Sequence, residues 1–166
     1  MRYSNTQRSK FYKVKAKVRL STTKKDIPTG KTKSAMKERK ALIKKSFPAY
    51  YGTYYCAALK ADVAVNSNIS LHKAIDEPSK TAKSTMLTLM LKDIVGKAEI
   101  IYEDTPKDNV GQKSFSKIIV LAAIVKGVGY AKLTIGKYKE GASDTKALFC
   151  HYCIRHLSVH ELKNKK

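Results

Sequence analysis

The stretch that most constrains the fold is 115–138, FSKIIVLAAIVKGVGYAKLTIGKY. Its segment 118–125 is an unbroken apolar run rich in β-branched residues and too short to span a membrane. Lys126 and Gly127 follow, and glycine takes the positive φ of a tight turn at no steric cost. After them Gly129, Ala131, Leu133 and Ile135 alternate with Val128, Tyr130, Lys132 and Thr134. A period of two marks a strand with one wetter face. The spacing predicts a β-hairpin whose first strand is buried on both faces at the centre of a sheet, with the remaining chain covering it.

Charge is the second constraint. Formal net charge is +21 over 166 residues, and 43% of residues are hydrophobic, enough for a real core. A field of that size points to a polyanionic partner. Residues 1–60 hold 17 Lys or Arg against two acids, Asp26 and Glu38, whereas 61–166 hold 17 against 11. The N-terminal part therefore reads as the electrostatic instrument. No amphipathic helix sets large apolar residues opposite its lysines, so nucleic acid is expected rather than a membrane surface. The first ten residues are polar, no signal peptide is expected, and the three cysteines are an odd number. These features predict a cytoplasmic protein with reduced thiols.

Along the chain, 1–9 is polar and expected to fray. In 10–20, KFYKVKAKVRL, the residues Tyr12, Val14, Ala16, Val18 and Leu20 fall on one face, and Lys13, Lys15, Lys17 and Arg19 on the other. The alternation predicts a strand with a basic outer stripe. That stripe either binds phosphates or blocks a sheet edge. Segment 21–33 is a basic turn, and 34–46 (SAMKERKALIKKS) is expected to be a helix capped by Ser34. Met36, Ala41, Leu42 and Ile43 give it a narrow apolar stripe, and Lys37, Arg39, Lys40, Lys44 and Lys45 make it cationic. In 47–60, Tyr50, Tyr51, Tyr54 and Tyr55 flank Gly52. They either form a stacking platform for unpaired bases or pack as amphipathic core residues. Further expectations are a short strand over 62–65, a helix over 79–91, and strands over 97–103 and 146–159. The polar loop 139–145 and a basic tail over 161–166 complete the chain. The predicted class is α+β, an antiparallel sheet with helices packed on one face. The predicted division is a basic, Tyr-rich extension over 1–66 and an α+β domain over 67–166.

Residues 68–159 carry NISLHKAID, a helix ending LKDIVGKAEIIYED, the hairpin, and ALFCHYCIRHLSV. This pattern resembles the barnase–EndoU–colicin–RelE-like domains of phages and conjugative elements, and among them the large polyvalent-protein-associated domains. The Gly–x–x–Tyr of that pattern matches either Gly127 and Tyr130 or, one frame looser, Gly129 and Tyr130. The resemblance implies a prokaryotic mobile-element protein with a compact RNase-like fold. It does not imply activity, because the polyvalent-associated domains are regarded as accessory.

RNA cleavage of that kind needs a general base, a general acid and cationic clamps on the phosphorane. His72, His151 or His156 is the candidate acid, and Arg155 with Lys132 the candidate clamp. The competing reading is strand histidines satisfied by backbone or water. On a regular final strand His151, Cys153 and Arg155 share one face, and Cys150, Tyr152, Ile154 and His156 the other. Cys150, Cys153, His156 and His160 offer zinc-type ligands, but regular alternation sends the two cysteines to opposite faces, so no metal or other cofactor is expected. The leading expectation is a non-catalytic nucleic-acid-binding accessory protein of a mobile element, RNA favoured over DNA. Its partner could be a defence ribonucleoprotein, as for anti-CRISPR proteins. The alternatives are a metal-independent RNase toxin and a DNA-binding maintenance protein.

Overall fold

The computed structural model describes residues 3–20, 27–143 and 146–163. Its described residues form an α+β fold with seven strands in one mixed sheet and six α-helices. The hairpin lies at the centre as expected: β5 (Phe115–Val125) pairs antiparallel with β6 (Gly129–Tyr138), turning through Gly127 at φ +83°. On its other edge β5 carries two strands end to end. These are β4 (Glu99–Asp104), antiparallel, and the two-residue β1 (Lys17–Val18), parallel. Beyond β6 come β7 (Phe149–Leu157), then β3 (Ala61–Val65) parallel to β7, then the edge strand β2 (Gly52–Cys56).

The parallel pairs β1–β5 and β3–β7 make the sheet mixed rather than purely antiparallel. Both come from the N-terminal segment, which enters the sheet at its two ends. Residues 1–66 thus supply β1, β2 and β3, and Val18, Ile43, Phe47, Cys56 and Val63 pack in one core with Leu121, Leu133 and Ile154. The charge contrast between 1–60 and 61–166 has no counterpart in packing, and residues 1–66 share one core with the rest of the sheet.

Successive residues of β5 point to opposite faces, as pleating requires. Ile119, Leu121, Ala123 and Val125 join the main core under α2 (Lys33–Ser46), α3 (Ile69–Asp76), α4 (Ala82–Thr88) and α5 (Leu91–Lys97). Val120 and Ala122 join a second cluster with Phe11 of α1 (Asn5–Tyr12) and Leu162 of α6 (Val159–Leu162). Helices therefore sit on both faces, not one. Helix α5 touches both β1 and β2, at opposite ends of the strand order. A flat sheet would hold these strands about 24 Å apart at ~4.8 Å per spacing. A seven-residue helix is only about 10 Å long, so the sheet curls around α5.

Three expected elements differ. Segment 10–20 is not one strand: α1 runs through Tyr12, and only Lys17–Val18 pairs. Ser4 and Gln7 form a capping box, with Gln7 N donating to Ser4 Oγ at 3.1 Å and Ser4 N donating to Gln7 Oε1 at 2.9 Å. These reciprocal bonds satisfy two N–H groups that a helix start leaves orphaned. Helix α2 starts one residue early, capped by Thr32 rather than Ser34. The single helix expected over 79–91 breaks at Leu89–Met90 into α4 and α5, after a 3-10 turn at Pro78–Lys80. Among the described residues no helix is long and apolar enough to cross a membrane.

Candidate nucleic-acid interface and a cationic basin

Lys13, Lys15, Lys17 and Arg19 are exposed, with Val14 and Val18 buried between them. Alternation thus holds in burial even where the ladder is short. The segment is fixed by Glu99, whose Oε2 accepts from the Lys15 and Ala16 backbone N–H groups, each at 2.7 Å. On α2, Lys37, Lys44 and Lys45 are exposed and Lys40 is half-buried. Three ion pairs occur among the described residues, made by Lys80, Lys117 and Arg155. None uses a cation from the first sixty residues.

Arg39, expected on the cationic face, is a correction: it is fully buried. Its Nε donates to Ser79 O at 2.7 Å, Nη1 to Pro28 O at 3.0 Å and Gly30 O at 2.9 Å, and Nη2 to Lys80 O at 3.1 Å. Four of a guanidinium's five donors thus clamp the 28–30 turn and the Pro78–Lys80 turn onto α2. A charge so buried is tolerated because carbonyl dipoles replace its water.

The tyrosines divide in two. Tyr50 donates to Leu89 O and Tyr54 to Tyr50 O, both at 2.7 Å, so these rings are structural. Burial raises both phenol pKa values. Tyr51 and Tyr55 stay exposed beside the outer strand β2. Two exposed tyrosine rings therefore follow the cationic helix in the chain, Tyr51 edge-on to Phe47 at 5.9 Å.

The histidines do not converge. Strand β7 carries a bulge: Thr134 pairs with Cys153 but Ile135 with His151, leaving Tyr152 extra. A bulge resets the alternation. His151 consequently joins the helical face, fully buried 6.2 Å from the Phe47 ring centre, while Cys153 and Arg155 face the other way. Neither ring nitrogen of His151 has a hydrogen bond among the described residues, and burial pushes its pKa down to about 3. A neutral imidazole shut in the core has no access to substrate. His156 sits opposite Ala131 on that same face, and its backbone N–H donates to Ser84 Oγ at 2.8 Å. His72 is exposed on α3. The bulge also brings Cys150 and Cys153 to one face, contrary to the expected opposition. His156 nevertheless faces away, and among the described residues no metal-binding group of His, Cys, Asp or Glu forms.

The second sheet face, between the α1–α6 end and the Phe115–Tyr138–Tyr152 cluster, holds an open basin of about 550 Å³. Its floor includes Val120, Thr134 and Cys153, and its charged lining includes Lys73, Lys107, Lys132 and Arg155. Lys132 lies opposite Arg155 across the β6–β7 ladder, only 5% exposed, with Nζ 2.8 Å from the Tyr3 hydroxyl. Burial, and then the Arg155 charge, lowers its pKa to about 8. Arg155 Nη1 meets the Glu161 carboxylate at 2.8 and 3.1 Å. Burial pushes the Cys153 thiol up to about 11, which keeps it protonated.

Sequence reasoning missed the contributions of Tyr3, Lys73, Lys107 and Glu161 to this basin. The capping box at Ser4–Gln7 was the one signal that could have placed Tyr3 in ordered structure. No family model, no curated protein and no solved structure matches this chain.

Proposed function

We propose that the protein binds nucleic acid, RNA in preference to DNA, through the exposed lysines of 13–19 and α2, with Tyr51 and Tyr55 as stacking groups. The observation that carries this reading is the lack of local neutralisation: none of these cations has a carboxylate partner among the described residues. Exposed, unpaired lysines can neutralise backbone phosphates and so release the cations condensed on the nucleic acid. Two exposed aromatic rings favour unpaired bases, whose faces a duplex hides.

The test is fluorescence anisotropy with a single-stranded RNA and a duplex DNA across a salt series. Affinity should fall steeply with salt. Changing Lys37, Lys40, Lys44 and Lys45 together to Glu should flatten the single-strand slope by up to about 3, from ~0.7 per phosphate contact. Tyr51→Ala and Tyr55→Ala should each weaken RNA binding by about 1–3 kcal/mol with little change in slope, and duplex binding less. Salt-independent binding would remove the electrostatic basis of the reading.

A further inference from the structure

The basin on the second sheet face plays no part in that exterior contact. Its cations are fewer, more buried and held by specific neighbours. We propose that it binds the terminal phosphate of a nucleotide, through Arg155, Lys132 and Lys73.

Arg155 is the anchor. Its side chain is 23% exposed, and its hydrogen bonds to Glu161 and to His156 O all leave from Nη1. Nε and Nη2 make no bond to any described residue. That edge of a guanidinium is a two-pronged donor matched to two oxygens of one phosphate. Lys132 stands beside it on the next strand, its Nζ held on the Tyr3 hydroxyl and over the Tyr3 ring at 5.0 Å. Lys73 approaches from α3, its Nζ 4.9 Å above the Tyr152 ring.

Of the basin's three carboxylates two are paired with cations, and Asp104 keeps its charge. Glu161 is held by Arg155, Glu77 by Lys80 at 2.9 Å, and Asp104 accepts the Thr105 N–H at 2.8 Å. Lys73 and Lys107 have no ion pair among the described residues. Convergent cations on one side favour a phosphomonoester, which carries close to two charges at neutral pH, over a monoanionic carboxylate. The volume lies within the ~300–1,000 Å³ of small-ligand sites. It suits one nucleotide, or one strand end, better than the convex side of a duplex.

Proton linkage supports the same ligand. The groups facing Lys132 are Tyr3 ahead of α1, Tyr102 on β4, Lys107 on the β4–β5 loop, Cys153 and Arg155 on β7, Glu161 on α6, and Lys73 and Glu77 on α3. The cations among them oppose its charge, and a bound phosphate would restore it. Binding should therefore take up a proton near pH 8 and tighten as pH falls toward 7.

The experiment is calorimetric titration of the full chain with AMP, adenosine, inorganic phosphate, and a hexaribonucleotide carrying either a 5′-phosphate or a 5′-hydroxyl. AMP should bind and adenosine should not. Lys73→Met, a change at a half-buried rim position, should weaken AMP roughly tenfold, as loss of one charged contact requires. Arg155→Lys should weaken it at least as much, because a lysine cannot form the fork. The fourfold α2 charge reversal should leave AMP binding unchanged while weakening the salt-dependent RNA contact and flattening its slope. Failure of either reading thus leaves the other standing. Preference for the 5′-phosphorylated hexamer over its hydroxyl twin assigns the site to strand ends, and binding of AMP without that preference assigns it to free nucleotides. Equal binding of AMP and adenosine, no binding of AMP by the wild-type chain, or full AMP affinity in Lys73→Met overturns the proposal.

Discussion

The two faces of the sheet treat charge in opposite ways. On the helical face, four helices close the core, and the ionisable groups there are either saturated or neutral. Arg39 is bound to four carbonyls, and His151 is an uncharged ring among apolar neighbours. On the other face helices cover only one end, and Lys132, Arg155 and Lys73 line the open basin in the uncovered middle. Burial alone therefore does not mark a functional cation. Arg39 and Lys132 are both buried, but Arg39 is enclosed by four backbone carbonyls, whereas Lys132 lines an open basin beside a second cation, Arg155.

The largest test of that contrast is Arg39→Met. It removes the clamp and leaves the Pro28, Gly30, Ser79 and Lys80 carbonyls without it, at a cost of about 3–5 kcal/mol in denaturant stability. RNA affinity of the fraction that remains folded should hardly change. A mild stability loss with a large affinity loss would return Arg39 to the binding surface and erase the distinction between saturated and available cations.

Lys132 provides the next test. Its folded pKa, about 8, lies below the ordinary 10.5. Between these values the unfolded chain binds a proton that the native state does not, so stability rises with pH across the window. The rise assignable to Lys132 is about 1–2 kcal/mol from pH 8 to 9.5. Lys132→Met should remove that part of the slope and raise stability at pH 7. Saturating AMP should reduce the slope in the wild type only, if the basin is the phosphate site. An identical slope in wild type and variant would mean that Lys132 is solvated, and that the two faces do not differ as described.

Much of the fold was legible because its central hairpin is locally periodic: β-branched residues, a glycine turn and a period of two all agree over 115–138. The N-terminal helix was hidden by a stronger local pattern, the lysine alternation beginning at Lys13, which is real in burial but pairs only at Lys17–Val18. The division at residue 66 followed the charge contrast and the pattern that begins at residue 68, whereas packing joins Val18, Ile43 and Val63 to the central core. The bulge at Tyr152 depends on where β6 pairs, and nothing local to 149–157 encodes it. The exterior lysines could be read because they are contiguous in sequence. The basin could be read only in part: Arg155 and Lys132 were legible as a candidate phosphate clamp, but the site also draws on positions 3, 73, 102–112 and 161, which no local pattern joins to them.

The smallest test concerns His151, the residue that the bulge turns inward. Burial holds its folded pKa at about 3, against 6.5 in the unfolded chain. Between those values the unfolded state binds the proton and the native state does not, so stability is lost as pH falls below 6.5. The loss assignable to one such group is about 1 kcal/mol between pH 6.5 and 5.5. His151→Leu keeps the volume close and removes two ring nitrogens that lack hydrogen bonds among the described residues. It should flatten this acid slope and raise stability at pH 7 by roughly 1 kcal/mol, because an unsatisfied buried polar group is replaced by an apolar one. AMP binding on the opposite face should be unaffected. If the variant instead keeps the acid slope, His151 is solvated, the bulge does not turn it into the core, and its return to the face of Arg155 would place a histidine beside the proposed phosphate site.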